Sequence, residues 1–134
     1  MSYALITGAS KGIGRAIAFE LAKNNYDLLL TARSLDLLKE VSEEIQKIYP
    51  VLVHSIALDL SENNAPQKLY DWCVENNYQV LVLINNAGAG MSGLFQSSTL
   101  ENNTKLIYLN VIAPTQLCQL FIPLLLKNSQ SYIL

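Results

Sequence analysis

The sequence is poor in cysteine and histidine, carries no excess charge of either sign, and has no long uninterrupted apolar run. Its two cysteines, Cys73 and Cys118, lie far apart and form no Cys-x-x-Cys pair, which disfavours a zinc site or a redox dithiol. Two reduced thiols suit a cytoplasmic protein. Nine Lys and Arg against eleven Asp and Glu give a net charge of -2, so there is no basic footprint for nucleic acid or for an anionic membrane surface. The contiguous apolar stretches at 80–84 and 121–126 are too short to cross a bilayer, and no charged segment leading into a long apolar one opens the chain. These shortages predict a soluble chain with neither nucleic acid nor membrane as a partner. What remains is 134 residues, 51 % hydrophobic and 15 % charged, a composition that supports one packed core and a single domain over 1–134.

Short apolar runs alternate with segments of helical period, the pattern of βαβ units that build a parallel sheet with helices on both faces. Strands are predicted at 3–6, 27–31, 51–58 and 80–84, with a fifth beginning at 131–134. Between them, Ile13, Ala16, Ile17 and Leu21 recur on one helical face, as do Leu38, Val41, Ile45 and Ile48, and then Ala65, Leu69, Trp72 and Cys73. Ser34 is placed to cap the second helix, and Tyr49-Pro50 to stop it. Residues 85–98, rich in Gly, Ser and Ala, form a loop at a strand's carboxyl end. Thr99 or a neighbouring serine then opens a long helical region carrying Leu106, Leu109, Leu117, Leu120, Phe121, Leu124 and Leu125, with Pro114 as a bend or restart. The fold class expected is a Rossmann-like, doubly wound, three-layer α/β/α domain. Its expected strand order is 3-2-1-4, with the fifth strand beyond.

The first strand runs into Thr7-Gly8-Ala9-Ser10-Lys11-Gly12-Ile13-Gly14. A glycine-rich turn between strand and helix lets backbone N–H groups and the helix N-terminus meet a pyrophosphate. By position, Gly8 permits the tight turn, Gly12 the close passage of phosphate, and Gly14 the packing of helix on strand; Ser10 and Ile13 lie in the same loop. The spacing is Gly-x-x-x-Gly-x-Gly, and a purely structural turn is the alternative. At the end of the second strand, where an acidic side chain would accept a ribose 2′-hydroxyl, the residue is Arg33. Arg33 together with Lys11 suits a 2′-phosphate, so NADP (NADPH in the reducing direction) is the expected cofactor. The plainer alternative is that both are solvated surface charges.

With these motifs in order, the chain resembles the short-chain dehydrogenase/reductase family along its whole length. The glycine loop is similar to that family's cofactor loop, Asp59-Leu60 to its adenine-pocket pair, Asn85-Asn86-Ala87-Gly88 to its strand-four motif, and Asn110 to the helix asparagine of its catalytic tetrad. The resemblance implies that Asp59 accepts a hydrogen bond from the adenine amino group and that the Leu60 backbone contacts the ring. It further implies that Asn86, Ala87 and Gly88 line the cofactor ribose, that Asn85 braces the sheet against Thr7, and that Asn110 supports a proton relay. Without it, Asp59 before Ser61 reads as a turn or helix cap, and Asn110 as a structural polar residue within an apolar helix that must satisfy its amide. His54 has no assigned role. Met91, Leu94 and Phe95 either wall an apolar substrate cleft or pack among themselves.

Hydride addition to a carbonyl leaves charge on oxygen, which calls for a proton donor. In the family this is a tyrosine followed four residues later by lysine, with a serine that orients the substrate. None of the seven tyrosines here has Lys at that distance. The resemblance therefore implies an NADPH-dependent reductase of a small-molecule carbonyl, or an oxidant of the alcohol, whose serine, tyrosine and lysine fall after Leu134, so that this segment alone is inactive and truncated. A non-catalytic NADP-binding module, or an oligomer-forming subunit, is the alternative. Homo-oligomerisation is expected from the apolar surface of the long helical region.

Overall fold

The computed structural model describes residues 2–134. Five parallel strands, β1 (Tyr3–Thr7), β2 (Asp27–Ala32), β3 (Val53–Ala57), β4 (Val80–Ile84) and β5 (Tyr132–Ile133), lie in the order β3-β2-β1-β4-β5. Helices α1 (Gly12–Lys23) and α2 (Leu35–Ile48) cover one face. The other is covered by α3 (Ala65–Glu75) and α5 (Ala113–Leu125), the latter preceded by α4 (Leu100–Ile107). This is the three-layer Rossmann-like arrangement expected from the alternation of patterns. Every residue of β1 is buried, because strands flank it on both edges and helices on both faces.

Several boundaries and faces differ from expectation. Strand β3 is shorter than 51–58 because Val51 is still in the turn, its N–H donating to Tyr49 O (2.9 Å), while Leu52 N–H is capped by Asp27 Oδ1 (2.8 Å). In α1 the buried face is Gly14, Ala18 and Ala22, whereas Ile13 is 74 % exposed. Small side chains at i, i+4 and i+8 let the helix lie close on the sheet, which outweighs the larger apolar stripe beside them. Helix α2 buries Leu38, Val41 and Ile45 as expected, under a Ser34 cap whose Oγ accepts from Leu37 N–H (3.4 Å), but Ile48 at its end is exposed. In α3, Ala65, Leu69 and Cys73 are buried, and Trp72 sits edge-on against Tyr78. Burial in that core pushes the Cys73 thiol up to about 12.

The long helical region is continuous from Leu100 to Leu125. Thr99 caps it, Oγ1 accepting from Asn102 N–H (3.1 Å). Instead of breaking at Pro114, the helix widens into a π-turn over Tyr108–Ile112. Proline has no N–H to offer the carbonyl four residues back, here that of Asn110, and its ring crowds that carbonyl; an extra residue per turn relieves the crowding. Counting contiguous apolar runs misses this helix, which by length and composition alone is long and apolar enough to cross a membrane. Ala113, Leu117, Phe121 and Leu125 nevertheless bury one side of it in the core shared with β1, β4 and α3. His54, left without a role, stacks on Tyr78 (centroids 5.0 Å apart) at the amino end of the sheet.

Candidate functional site

The carboxyl ends of β1, β2, β3 and β4 open into one cleft of about 430 Å³. It gathers the glycine loop, Arg33, Asp59-Leu60 and Asn86-Ala87-Gly88 along a single wall. Of the residues singled out in the sequence, Gly8, Ser10, Lys11, Gly12, Ile13, Arg33, Asp59, Leu60, Asn86, Ala87 and Gly88 all line it. Gly14 and Asn110 do not line it themselves but touch residues that do, Gly8 and Ala89.

Two glycines are required by geometry. Gly8 has φ +67°, and a Cβ there would fall 2.9 Å from both the Ala87 Cα and Asn86 Nδ2. At Gly14 a Cβ would stand 2.3 Å from Gly8 O, so the helix start touches the turn that precedes it. Gly12, at φ +57°, meets nothing within 4 Å on its open side, leaving room for a ligand against the backbone. The turn at Gly8 and the packing at Gly14 are those their spacing suggested, and Gly12 stands open beside them.

Thr7 holds the β1 and β4 ends in register. Its hydroxyl donates to Ile84 O (3.2 Å) and accepts from Asn86 N–H (3.0 Å) and Ala87 N–H (2.9 Å). Asn86 Nδ2 then donates to Thr7 O (3.0 Å) and Gly8 O (3.2 Å). The brace expected of Asn85 is therefore supplied by Asn86. Asn85 turns to the other side, where its N–H donates to Leu134 O (2.7 Å) and its Nδ2 points at Cys118 Sγ (3.5 Å).

Asp59 forms the turn that its place before Ser61 suggested. Its Oδ1 accepts from Ser61 N–H (2.9 Å) and Ser61 Oγ–H (2.7 Å), forming the turn, while the residue faces the cleft. Partial burial alone would raise its carboxyl, but those two hydrogen bonds and the charges of Arg33 and Lys105 prevail and hold it below the usual carboxylate range. Among the described residues, the ion pairs Arg15–Glu44, Lys23–Glu20, Lys105–Glu62 and Lys105–Glu101 leave Lys11 and Arg33 uncommitted.

Asn110 is exposed rather than buried in its helix, and its carboxamide is fully engaged. Nδ2 donates to Ala89 O (2.8 Å) and Leu106 O (2.9 Å), and Oδ1 accepts from Ala89 N–H (3.2 Å). The π-turn thus presents an amide that grips one residue, Ala89, of the loop after β4 by both its N–H and its C=O. This makes Asn110 a positioning residue: its side chain reaches the cleft through Ala89, which lines it. Sequence reasoning did not place Thr31, Leu37 or the helix cap Ser34 in the site, yet all three line the cleft. Thr31 Oγ1 is fully buried and has no partner among the described residues. Its place, two residues before Arg33 at the end of β2, was the available signal. The open glycine backbone, two free cations and an unmatched hydroxyl fit a phosphorylated dinucleotide. No trio of His, Cys, Asp or Glu that would hold a metal forms among the described residues.

A family model described as short chain dehydrogenase matches residues 2–134. The chain belongs to the short-chain dehydrogenase family. It is 35 % identical to the very-long-chain 3-oxoacyl-CoA reductase of Rattus norvegicus over 138 residues, covering 98 % of this chain and 43 % of the rat protein. With the very-long-chain 3-oxoacyl-CoA reductase of Coccidioides immitis it shares 32 % identity, covering 99 % of this chain and 39 % of that protein. Among solved structures, a metagenomic short-chain oxidoreductase in complex with NADP superposes with a TM-score of 0.90 at 32 % identity, covering 98 % of this chain and 60 % of its own. The chain spans about two fifths of the length of these curated relatives.

Proposed function

We propose that the protein to which this chain belongs is an NADPH-dependent reductase of a carbonyl compound, or an oxidant of the corresponding secondary alcohol. The observation that carries this is the convergence of the Gly8–Gly14 turn with uncommitted Lys11 and Arg33 on one cleft. Bound there, the reduced nicotinamide supplies hydride to a carbonyl carbon. The residues of this chain do the holding. N–H groups around Gly12 would hold the pyrophosphate, Lys11 and Arg33 the 2′-phosphate, Asp59 and Leu60 the adenine, and Asn86 to Gly88 the ribose. Asn110 keeps the Gly88-Ala89 segment in place. The proton donor that balances the charge on oxygen is not supplied by a Tyr-x-x-x-Lys of these residues, so this segment is expected to bind cofactor without turning over.

Support for NADP over NAD comes from Arg33 and Lys11 and from NADP in the related structure. Replacing Arg33→Ala is expected to weaken NADPH binding about tenfold or more, the loss of a charge-assisted contact, with little change for NADH. Fluorescence titration of both cofactors measures this, and equal losses would remove the 2′-phosphate assignment.

Self-association is part of the proposal. Val111 and Ile122 of the long helix and Leu126 just beyond it are 57, 42 and 77 % exposed, an apolar surface suited to a second copy of the protein. The seating of Ala113, Leu117, Phe121 and Leu125 in the core supports this over a membrane span. The free thiols of Cys73 and Cys118 support a reducing, cytoplasmic setting.

A further inference from the structure

A second cavity, of about 410 Å³, lies between α4 and the loop over residues 91–98. Met91, Leu94 and Phe95 of the loop face Leu106 and Ile107 of the helix across it. We propose that this cavity holds an unbranched apolar chain of the carbonyl substrate, extending away from a reacting carbon held in the cofactor cleft. This rests on the reductase function proposed above.

The lining selects the ligand. It includes no charged side chain, so nothing in it would repay the desolvation of a phosphate or carboxylate. Two of its polar members satisfy one another: Ser98 Oγ donates to Phe95 O (2.6 Å) and accepts from Asn103 Nδ2 (2.9 Å). The surface left to a ligand is therefore mainly apolar, and its volume is within the range of about 300–1,000 Å³ usual for small-molecule sites. Leu94 and Phe95 are 69 and 84 % exposed, apolar area that a bound chain would remove from water.

Position joins this cavity to the cleft. Ala89 and Leu109 line the cleft, while Met91 and Leu106 line the cavity. Asn110 sits at the partition, donating to Ala89 O on one side and Leu106 O on the other. Ala89 of the cleft and Met91 of the cavity stand two residues apart on the same loop, which sets the cavity beside the cleft's end. The relatives named for very-long-chain 3-oxoacyl-CoA reduction favour such a chain over a second copy of the protein as the occupant.

The test is calorimetric titration of the NADPH-saturated chain with straight-chain methyl ketones of increasing length. Affinity is expected to rise about fourfold per added methylene until the cavity is filled, and then to level off. Leu94→Asp should abolish the length dependence and lower affinity for the longest ketone by about tenfold or more, with NADPH binding retained. Leu100→Asp, on an exposed side chain outside the cavity, should leave the series unchanged. Flat affinities with intact NADPH binding would overturn the tail site while leaving the reductase proposal standing, whereas failure to bind NADPH would remove both. A length dependence that survives Leu94→Asp, or ketone binding that is lost as the chain dimerises, would also overturn it.

Discussion

The two faces of the sheet are built differently. On one, α1 and α2 bury narrow stripes, Gly14-Ala18-Ala22 and Leu38-Val41-Ile45, and are stitched outside by the Arg15–Glu44 pair, with Arg15 also over the Phe19 ring, so that their exposed large apolar side chains, Ile13, Leu35, Leu37 and Ile48, stand only at the helix ends. On the other, α5 buries Ala113, Leu117, Phe121 and Leu125 and still shows Ile122 to solvent, with Leu126 just beyond it. A helix apolar on one side needs one neighbour; a helix apolar on most of its circumference needs two. The cofactor cleft draws its glycine turn and Arg33 from the finished face, whereas the second cavity is made wholly by the loop and helix of the unfinished one. Binding of the dinucleotide and binding of a substrate chain thus depend on regions of unequal completeness.

The contrast is sharpest where burial is equal. Phe121 and Leu38 are both 0 % exposed. Phe121→Ala is expected to cost about 3–5 kcal/mol and Leu38→Ala about 2–5 kcal/mol in urea denaturation, as full cavities on either face should. A loss below about 1 kcal/mol at Phe121 would mean that the α5 face is not packed as described. Next in size is Gly14→Ala, where the added Cβ meets Gly8 O and Asn86 Nδ2 and must move backbone. Overpacking of this kind is expected to cost about 1–3 kcal/mol, with a parallel loss of NADPH affinity; stability falling without any effect on binding would separate the turn from the site.

Smaller effects probe the open face and the cleft. Ile122→Ser, on a side chain 42 % exposed, should change the stability of a monomer by no more than about 0.5 kcal/mol while reducing the apparent mass in light scattering. An unchanged mass would argue against association through this surface. The smallest effect concerns acid. Because the folded state holds the Asp59 carboxyl below its ordinary value, its contribution is present above the unfolded carboxylate range and disappears as pH falls through the lower, folded value. Asp59→Asn should flatten that limb of the stability profile, measured by denaturation across the acid range.

Much of this was legible in the sequence because burial leaves a period. Strand β4 reads directly from Val80-Leu81-Val82-Leu83-Ile84, since a strand covered on both faces has no polar alternation to confuse it. The glycine turn was legible because positive φ and close contact admit few other residues. The choice between Asn85 and Asn86 was not, since consecutive side chains in an extended segment face opposite ways and the two residues are identical. Nor was the π-turn, a response to crowding between Pro114 and the Asn110 carbonyl that no local periodicity encodes. Helix α1 misled because its inward stripe is small, not large. Of the cavity beside α4, the loop wall of Met91, Leu94 and Phe95 was among the sequence readings, but the helix wall was not, because only the fold brings Met91 opposite Ile107.

The grip of Asn110 on Ala89 has the logic of a base pair. One planar amide matches donor to acceptor and acceptor to donor on the backbone of a single facing residue, Ala89, while its remaining N–H is spent on Leu106 O. An aspartate there would lose both donors, a leucine all three bonds, and a glutamine would overshoot by a methylene. The position therefore has very few synonyms, and a saturation library read out by folding and cofactor retention should find it nearly as restrictive as the glycines, although its side chain lies outside the cleft.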